Sequence, residues 1–152
     1  MIPAETLQAI EQEAKKLFEL LETEALLAVQ EQKEGGVLIQ ATMQEPQLFI
    51  GEKGQALMEI QHVLRMMLRK KLAEYTQVFL DINEYKKSKE SYLKEMARNA
   101  ADEVALLKKD KELPPMNAAD RRVVHIELSQ RSDVVAESVG QDPERRIVIR
   151  AR

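Results

Sequence analysis

The chain has 152 residues, 44% of them hydrophobic and 32% charged, and 23 basic against 26 acidic side chains leave a formal net charge of -3. This composition excludes a disordered chain, which would be poorer in Leu, Ile and Val, and the length allows one ordinary domain or two very small ones packed together. With no cysteine, disulfides and thiolate metal sites are excluded. His62 and His125 cannot build a metal site alone, and no run approaches the roughly 20 apolar residues that span a bilayer.

The opening residues, MIPAETLQAIEQEAKK, are acidic and lack a signal-peptide apolar core, so a cytosolic, unprocessed protein is expected. Charge is divided unevenly: residues 1 to 50 hold 3 basic and 9 acidic side chains, residues 51 to 110 hold 12 and 10, and residues 111 to 152 hold 8 and 7. The acidity therefore sits in the first third. Nucleic-acid binding follows local potential rather than total charge, so the later two-thirds remain open to it.

From Ala4 to Leu21, the residues Leu7, Ile10, Ala14, Leu17, Phe18 and Leu21 recur at three- and four-residue steps, which predicts an amphipathic helix. Leu26 to Glu31 and Val37 to Thr42 read as antiparallel strands around Lys33-Glu34-Gly35-Gly36, whose glycines suit a hairpin turn. The short apolar piece Leu48-Phe49-Ile50 leads into Gly51 to Gly54. A helical run then carries Leu57, Ile60, Leu64, Met67, Leu68 and Leu72, with Met66, Met67 and Leu68 expected in the core. Val78, Leu80 and Ile82 alternate as in a strand. A long helix is predicted from about Glu84 to Lys109, with Leu93, Met96, Ala100, Val104 and Leu107 inward and Pro114-Pro115 ending it. Asn117 is a good N-cap for a helix over Ala118 to about Ser129, and Val134-Val135 and Arg146 to Ile149 read as strands around a turn at Gly140 to Pro143.

Two features carry chemistry. Gly51-Glu52-Lys53-Gly54 joins a short helix to a long one: glycines at both ends let a nucleic-acid backbone approach, and the helix N-terminus and Lys53 favour an anion while Glu52 opposes it. The bland reading is a tight interhelical turn. In Arg121-Arg122-Val123-Val124-His125, the outer residues stand four apart and share a helix face; Arg offers a planar fork to phosphate and His can donate or stack. The bland reading there is a solvated Arg with a histidine at the core edge. His62 reads as a plain surface residue. Carboxylates are plentiful, but none pairs with a base or nucleophile in a marked motif and no Walker-type loop is present, so neither an enzyme nor a cofactor is expected.

The α-β-β-α-α-β order, with the glycine turn between its two successive helices, resembles a type II KH domain over roughly Ala25 to Tyr85, carried by QLFIGEKGQALMEIQHVLRMMLRKKL. KH domains clamp a four-nucleotide backbone with this loop, and the resemblance implies that Ile50, Leu57 and Ile60 help line a base-contacting groove. Leu113 to His125, followed by Glu144-Arg145-Arg146-Ile147-Val148-Ile149, resembles the R-three-H (Arg-xxx-His) single-stranded nucleic-acid-binding domain. A KH domain followed by an R-three-H domain is the arrangement of the bacterial Jag family, the SpoIIIJ-associated or KhpB-like RNA-binding proteins.

The resemblance implies an α+β chain with an acidic helix over 1-24, a KH domain over 25-84 and an R-three-H domain over 85-152, joined by the long helix. It further implies cytoplasmic single-stranded RNA binding linked to cell elongation or division, and a small KH-only (KhpA-like) partner or self-association through the KH domain. The RNA-binding residues it nominates are Ile50, Gly51, Glu52, Lys53, Gly54, Leu57, Arg121, Arg122 and His125, with Arg145 and Arg146 widening the basic surface. Two departures stand out: Glu52 takes a loop position that is often basic in the family, and the separate N-terminal domain of many members is expected to be absent. Glu52 and the net negative charge favour a rival reading, an interaction scaffold with weakened nucleic-acid binding; single-stranded DNA is a second alternative ligand.

Overall fold

The spacing near the N-terminus becomes α1 (Ala4–Leu20), which buries Ile10, Ala14, Leu17 and Phe18; Leu21 lies past its last residue and is exposed rather than inward. The computed structural model describes residues 1–152. β1 (Leu26–Glu31) and β2 (Val37–Thr42) pair antiparallel from Leu26 opposite Thr42 to Glu31 opposite Val37, around the expected glycine turn. After α2 (Gln47–Ile50) and one 3-10 turn at Glu52–Gly54 comes α3 (Gln55–Lys71), and then β3 (Val78–Ile82), which runs parallel to β2 and completes the sheet order β1-β2-β3. The element order is the α-β-β-α-α-β expected of a type II KH arrangement.

Alternate residues of β2 and β3, Val37, Ile39, Ala41, Val78, Leu80 and Ile82, are buried in one core with Ile10 and Phe18 of α1 and Leu57, Leu64 and Leu68 of α3. An edge strand leaves backbone groups unpaired. Here α3 supplies partners for β3: the Gln61 side-chain oxygen accepts from the Leu80 amide at 2.9 Å, and Arg65 Nε donates to the Val78 carbonyl at 2.7 Å. Asn83 ties the ends of β2 and β3 together by exchanging two hydrogen bonds with the Met43 backbone. Met66 is 46% exposed and is no part of the core, unlike Leu68 beside it.

The chain divides into two units, Met1–Tyr85 and Lys86–Arg152. The second contains α4 (Tyr85–Leu107) apart from its first residue, β4 (Lys111–Glu112), α5 (Ala118–Ser129), β5 (Val134–Val139) and β6 (Arg146–Ala151), with an antiparallel sheet in the order β4-β6-β5. Its core joins Leu93, Ala97 and Val104 of α4, Val124 and Leu128 of α5, and Ile147 and Ile149 of β6. The prolines do not end α4. Lys108 takes the left-handed conformation (φ 56°) and closes the last turn by donating to the Val104 carbonyl at 2.9 Å, and Leu107, the last helical residue, is exposed. The Pro-Pro stretch instead runs beside β6, with the Leu113 amide on the Ile147 carbonyl at 2.8 Å and the Met116 amide on the Arg145 carbonyl at 3.1 Å. Asn117 caps α5 as expected, its side-chain oxygen accepting from the Asp120 amide at 2.9 Å.

Two substitutions on α3 test this placement by urea denaturation. Leu64→Ala, at a site with no exposure, is expected to cost about 2–5 kcal/mol, and Met66→Ala to stay within about 0.5 kcal/mol of the parent.

Candidate nucleic-acid interface

In the first unit the glycines of the turn are required by its shape. Gly51 (φ 72°) and Gly54 (φ 80°) both lie in the left-handed region, and a Cβ would come to 2.8 Å from the Ala56 Cβ at Gly51 and 2.8 Å from the Tyr85 ring at Gly54. Lys53 is also left-handed (φ 55°), which presents it, with Glu52, as an exposed tip ahead of α3. The two side chains carry opposite charge, so the turn has little net field of its own. Leu57 is 2% exposed and belongs to the core of the first unit rather than its surface. Ile50 and Ile60 are half-buried, and the large apolar residues that do face solvent here are Leu48, in the apolar piece before the turn, and Met58, which the spacing did not single out because it lies off the apolar stripe of α3.

In the second unit Arg121 is buried, with 10% of its side chain exposed. Its Nη1 donates to the Met116 carbonyl at 2.5 Å and lies 3.5 Å from the Asp142 carboxylate in the β5–β6 turn. It makes no other hydrogen bond, yet no buried side-chain nitrogen in the molecule lacks a partner, so Nε and Nη2 still reach solvent. Nη1 is therefore spent on the fold, while Nε and Nη2 have no protein partner. His125, one turn on, is half-buried on the same side as Val124 and Leu128.

The other arginines divide by whether a carboxylate already holds them. Arg146 is paired with Glu112 (Nε to Oε2 at 2.8 Å), and that hydrogen bond and charge hold Glu112 below the usual carboxylate range while raising Arg146. Arg150 bridges Glu137 at 2.6 Å and Asp110 at 3.3 Å. Arg131 bridges Asp133 and Asp102, which raise its pKa in that order. Arg145 is exposed and donates only to the Ser138 hydroxyl at 2.8 Å, and exposed Arg122 has neither a hydrogen bond nor an ion pair. Of the adjacent arginines nominated from the sequence before and in β6, Arg145 has no acid partner and Arg146 has one. The Met116 amide on the Arg145 carbonyl and Arg121 on the Met116 carbonyl bring the start of α5 against the turn that bears Arg145. The resulting edge holds Arg121, Arg122 and Arg145, with Asp142 as the acid facing Arg121.

Residues 91–151 match the family model of the R-three-H domain. The chain is 32% identical to the RNA-binding protein KhpB of Clostridium symbiosum over 102 residues, 67% of this chain and 46% of that protein. It is 30% identical to the RNA-binding protein KhpB of Lactiplantibacillus plantarum over 105 residues, 69% and 33% of the two chains. It is 29% identical to the RNA-binding protein KhpB of Bacillus subtilis over 125 residues, 81% and 60%. The chain is a KhpB/Jag-like protein. It matches about half the length of the first of these relatives, a third of the second and three-fifths of the third. The R-three-H domain includes α5, the β5–β6 turn and the arginines just described. No helix is long and apolar enough to cross a membrane, and no group of three or more His, Cys, Asp or Glu is placed to hold a metal ion.

Because Arg121 fastens the Met116 backbone, Arg121→Ala is expected to lower thermal stability by about 1–3 kcal/mol. Arg122→Ala and Arg145→Ala are expected to stay within about 0.5 kcal/mol.

Proposed function

We propose that this chain binds single-stranded RNA through the arginine edge of its R-three-H domain, with the glycine turn of the first unit as a second, weaker contact. The observation that carries the proposal is the partition of arginines: Arg146, Arg150 and Arg131 are held by carboxylates, while Arg122 and Arg145 are exposed without an acid partner and Arg121 keeps Nε and Nη2 without a protein partner. In this reading Arg121 receives a phosphate on Nε and Nη2, Arg122 and Arg145 meet neighbouring phosphates, and His125 donates to or stacks on the strand. Gly51 to Gly54 let a backbone approach in the first unit, which we read as a KH domain over 25–84 with the acidic helix of 1–24 packed on it, followed by the R-three-H region over 85–152. The curated relatives are named RNA-binding proteins, which supports RNA as the ligand and binding without catalysis as the role. By the same likeness we place the protein in the cytoplasm, in post-transcriptional regulation linked to cell elongation or division, and read single-stranded DNA as the lesser ligand. A second reading, association of the first unit with a small KH-only partner or with another copy, is favoured by Met58, Val63 and Met66, which are all at least 40% exposed on α3.

Fluorescence anisotropy with a single-stranded RNA across a salt series tests the proposal. Losing two phosphate contacts in the double variant Arg122→Ala/Arg145→Ala is expected to flatten the slope of log affinity against log salt by about 1.4, at about 0.7 per contact. Asp142→Asn removes the acid facing Arg121 and is expected to tighten binding, and Lys53→Asp to weaken it less than the arginine pair does. Affinity and slope unchanged in the arginine variant would exclude this edge.

A further inference from the structure

The last turns of α3 and the loop that follows hold a second set of cations, interleaved with aromatic rings and used by neither contact above. The Arg69 guanidinium lies 5.8 Å from the centroid of the Tyr75 ring, and that of Arg65 lies 5.4 Å from Phe79. The two pairs do different work. Arg65 is half-buried and fastens β3 through the Val78 carbonyl, so its stack belongs to the fold. Arg69 makes no hydrogen bond or ion pair, and Tyr75, its only partner, is 70% exposed. Lys70 beside it is exposed and unpaired, whereas Lys71 is committed to Glu13 at 3.5 Å. A cleft of about 300 Å³ opens between α3 and the loop, lined by Arg65, Arg69 and Tyr75 among others, with Glu74 as its one acid.

We propose that this end of α3 is a further single-stranded RNA contact, in which a nucleobase stacks on Tyr75 while Arg69 and Lys70 meet the flanking phosphates. Sequence-tolerant single-strand sites are built this way, from cations that track the backbone and exposed rings on which any base can lie. Both components are present and neither has a structural duty that explains its exposure. Two full charges outweigh the partial negative charge of the helix end and the single Glu74. Because α3 has 17 residues, the patch lies roughly 25 Å along the helix from the glycine turn, at about 1.5 Å per residue, and is a separate contact. The site deepens the RNA-binding reading and rests on it.

A 5-iodouridine-bearing single-stranded RNA, irradiated on the full chain and followed by peptide mapping, is expected to cross-link the peptide containing Tyr75. In anisotropy with the same RNA, Tyr75→Ala and Arg69→Ala are each expected to bind about 5- to 10-fold more weakly. Tyr75→Phe is expected to retain wild-type affinity, since only the ring is needed. Unchanged affinity in both alanine variants with no cross-link at Tyr75 overturns the proposal while leaving the arginine edge of the R-three-H domain standing. A wild-type chain that binds no RNA at low salt overturns both.

Discussion

The guanidinium of Arg121 organises the second unit's exposed end. It starts on the first turn of α5, reaches back to the Met116 carbonyl just before the helix and touches Asp142 in the β5–β6 turn, so the entry to α5 and the turn 21 residues on meet at one side chain. A hydrogen bond from a charged donor in a largely buried setting stabilises by about 1.5–3 kcal/mol, and removing the donor leaves a carbonyl without its partner. Only a guanidinium does this while keeping further donors free, because its planar fork points in more than one direction. A lysine would offer its donors from a single nitrogen, without the fixed planar spread that points a guanidinium at two separate partners.

Around that anchor, carboxylates decide which cations are available. The R-three-H region is nearly neutral by count, yet Glu112, Glu137 and Asp110 lie against Arg146 and Arg150 on the strands, while no carboxylate pairs with Arg122 or Arg145. Neutral composition and a local positive edge are therefore compatible, as polyanion binding by an acidic chain requires. The first unit is arranged differently. Its glycine turn is shaped for close approach, with both Cβ positions sterically closed, but Glu52 beside Lys53 leaves the approach electrostatically weak.

Much of the fold was legible because it rests on local signals. The Asn117 cap, the α1 stripe and the two strands of the hairpin appear at the residues that spacing and turn chemistry indicate. The misplacements share one cause, since a helical stripe gives direction but not depth or extent. Leu107 continues the inner stripe of α4 by spacing, but it is the last residue of the helix and is exposed, an end point that spacing does not encode. Met66 neighbours two core-facing positions and turns out to solvent, whereas Leu57 lies deeper than a groove wall would. The four-residue step from Arg121 to His125 placed both on one face correctly; that this face is the inner edge of α5 follows only from the return of the 113–117 segment along β6. The two-residue strand β4 is too short to leave any pattern.

The most direct test is backbone and arginine-side-chain NMR of the isotopically labelled chain, titrated with single-stranded RNA at low salt. Perturbation of the Arg121, Arg122 and Arg145 side-chain N–H signals is expected, with smaller changes at Gly51 to Gly54 and with Arg146 and Arg150 nearly unmoved. Perturbation centred on Arg146 and Arg150 with Arg122 and Arg145 silent would contradict the assignment of the binding edge by charge pairing.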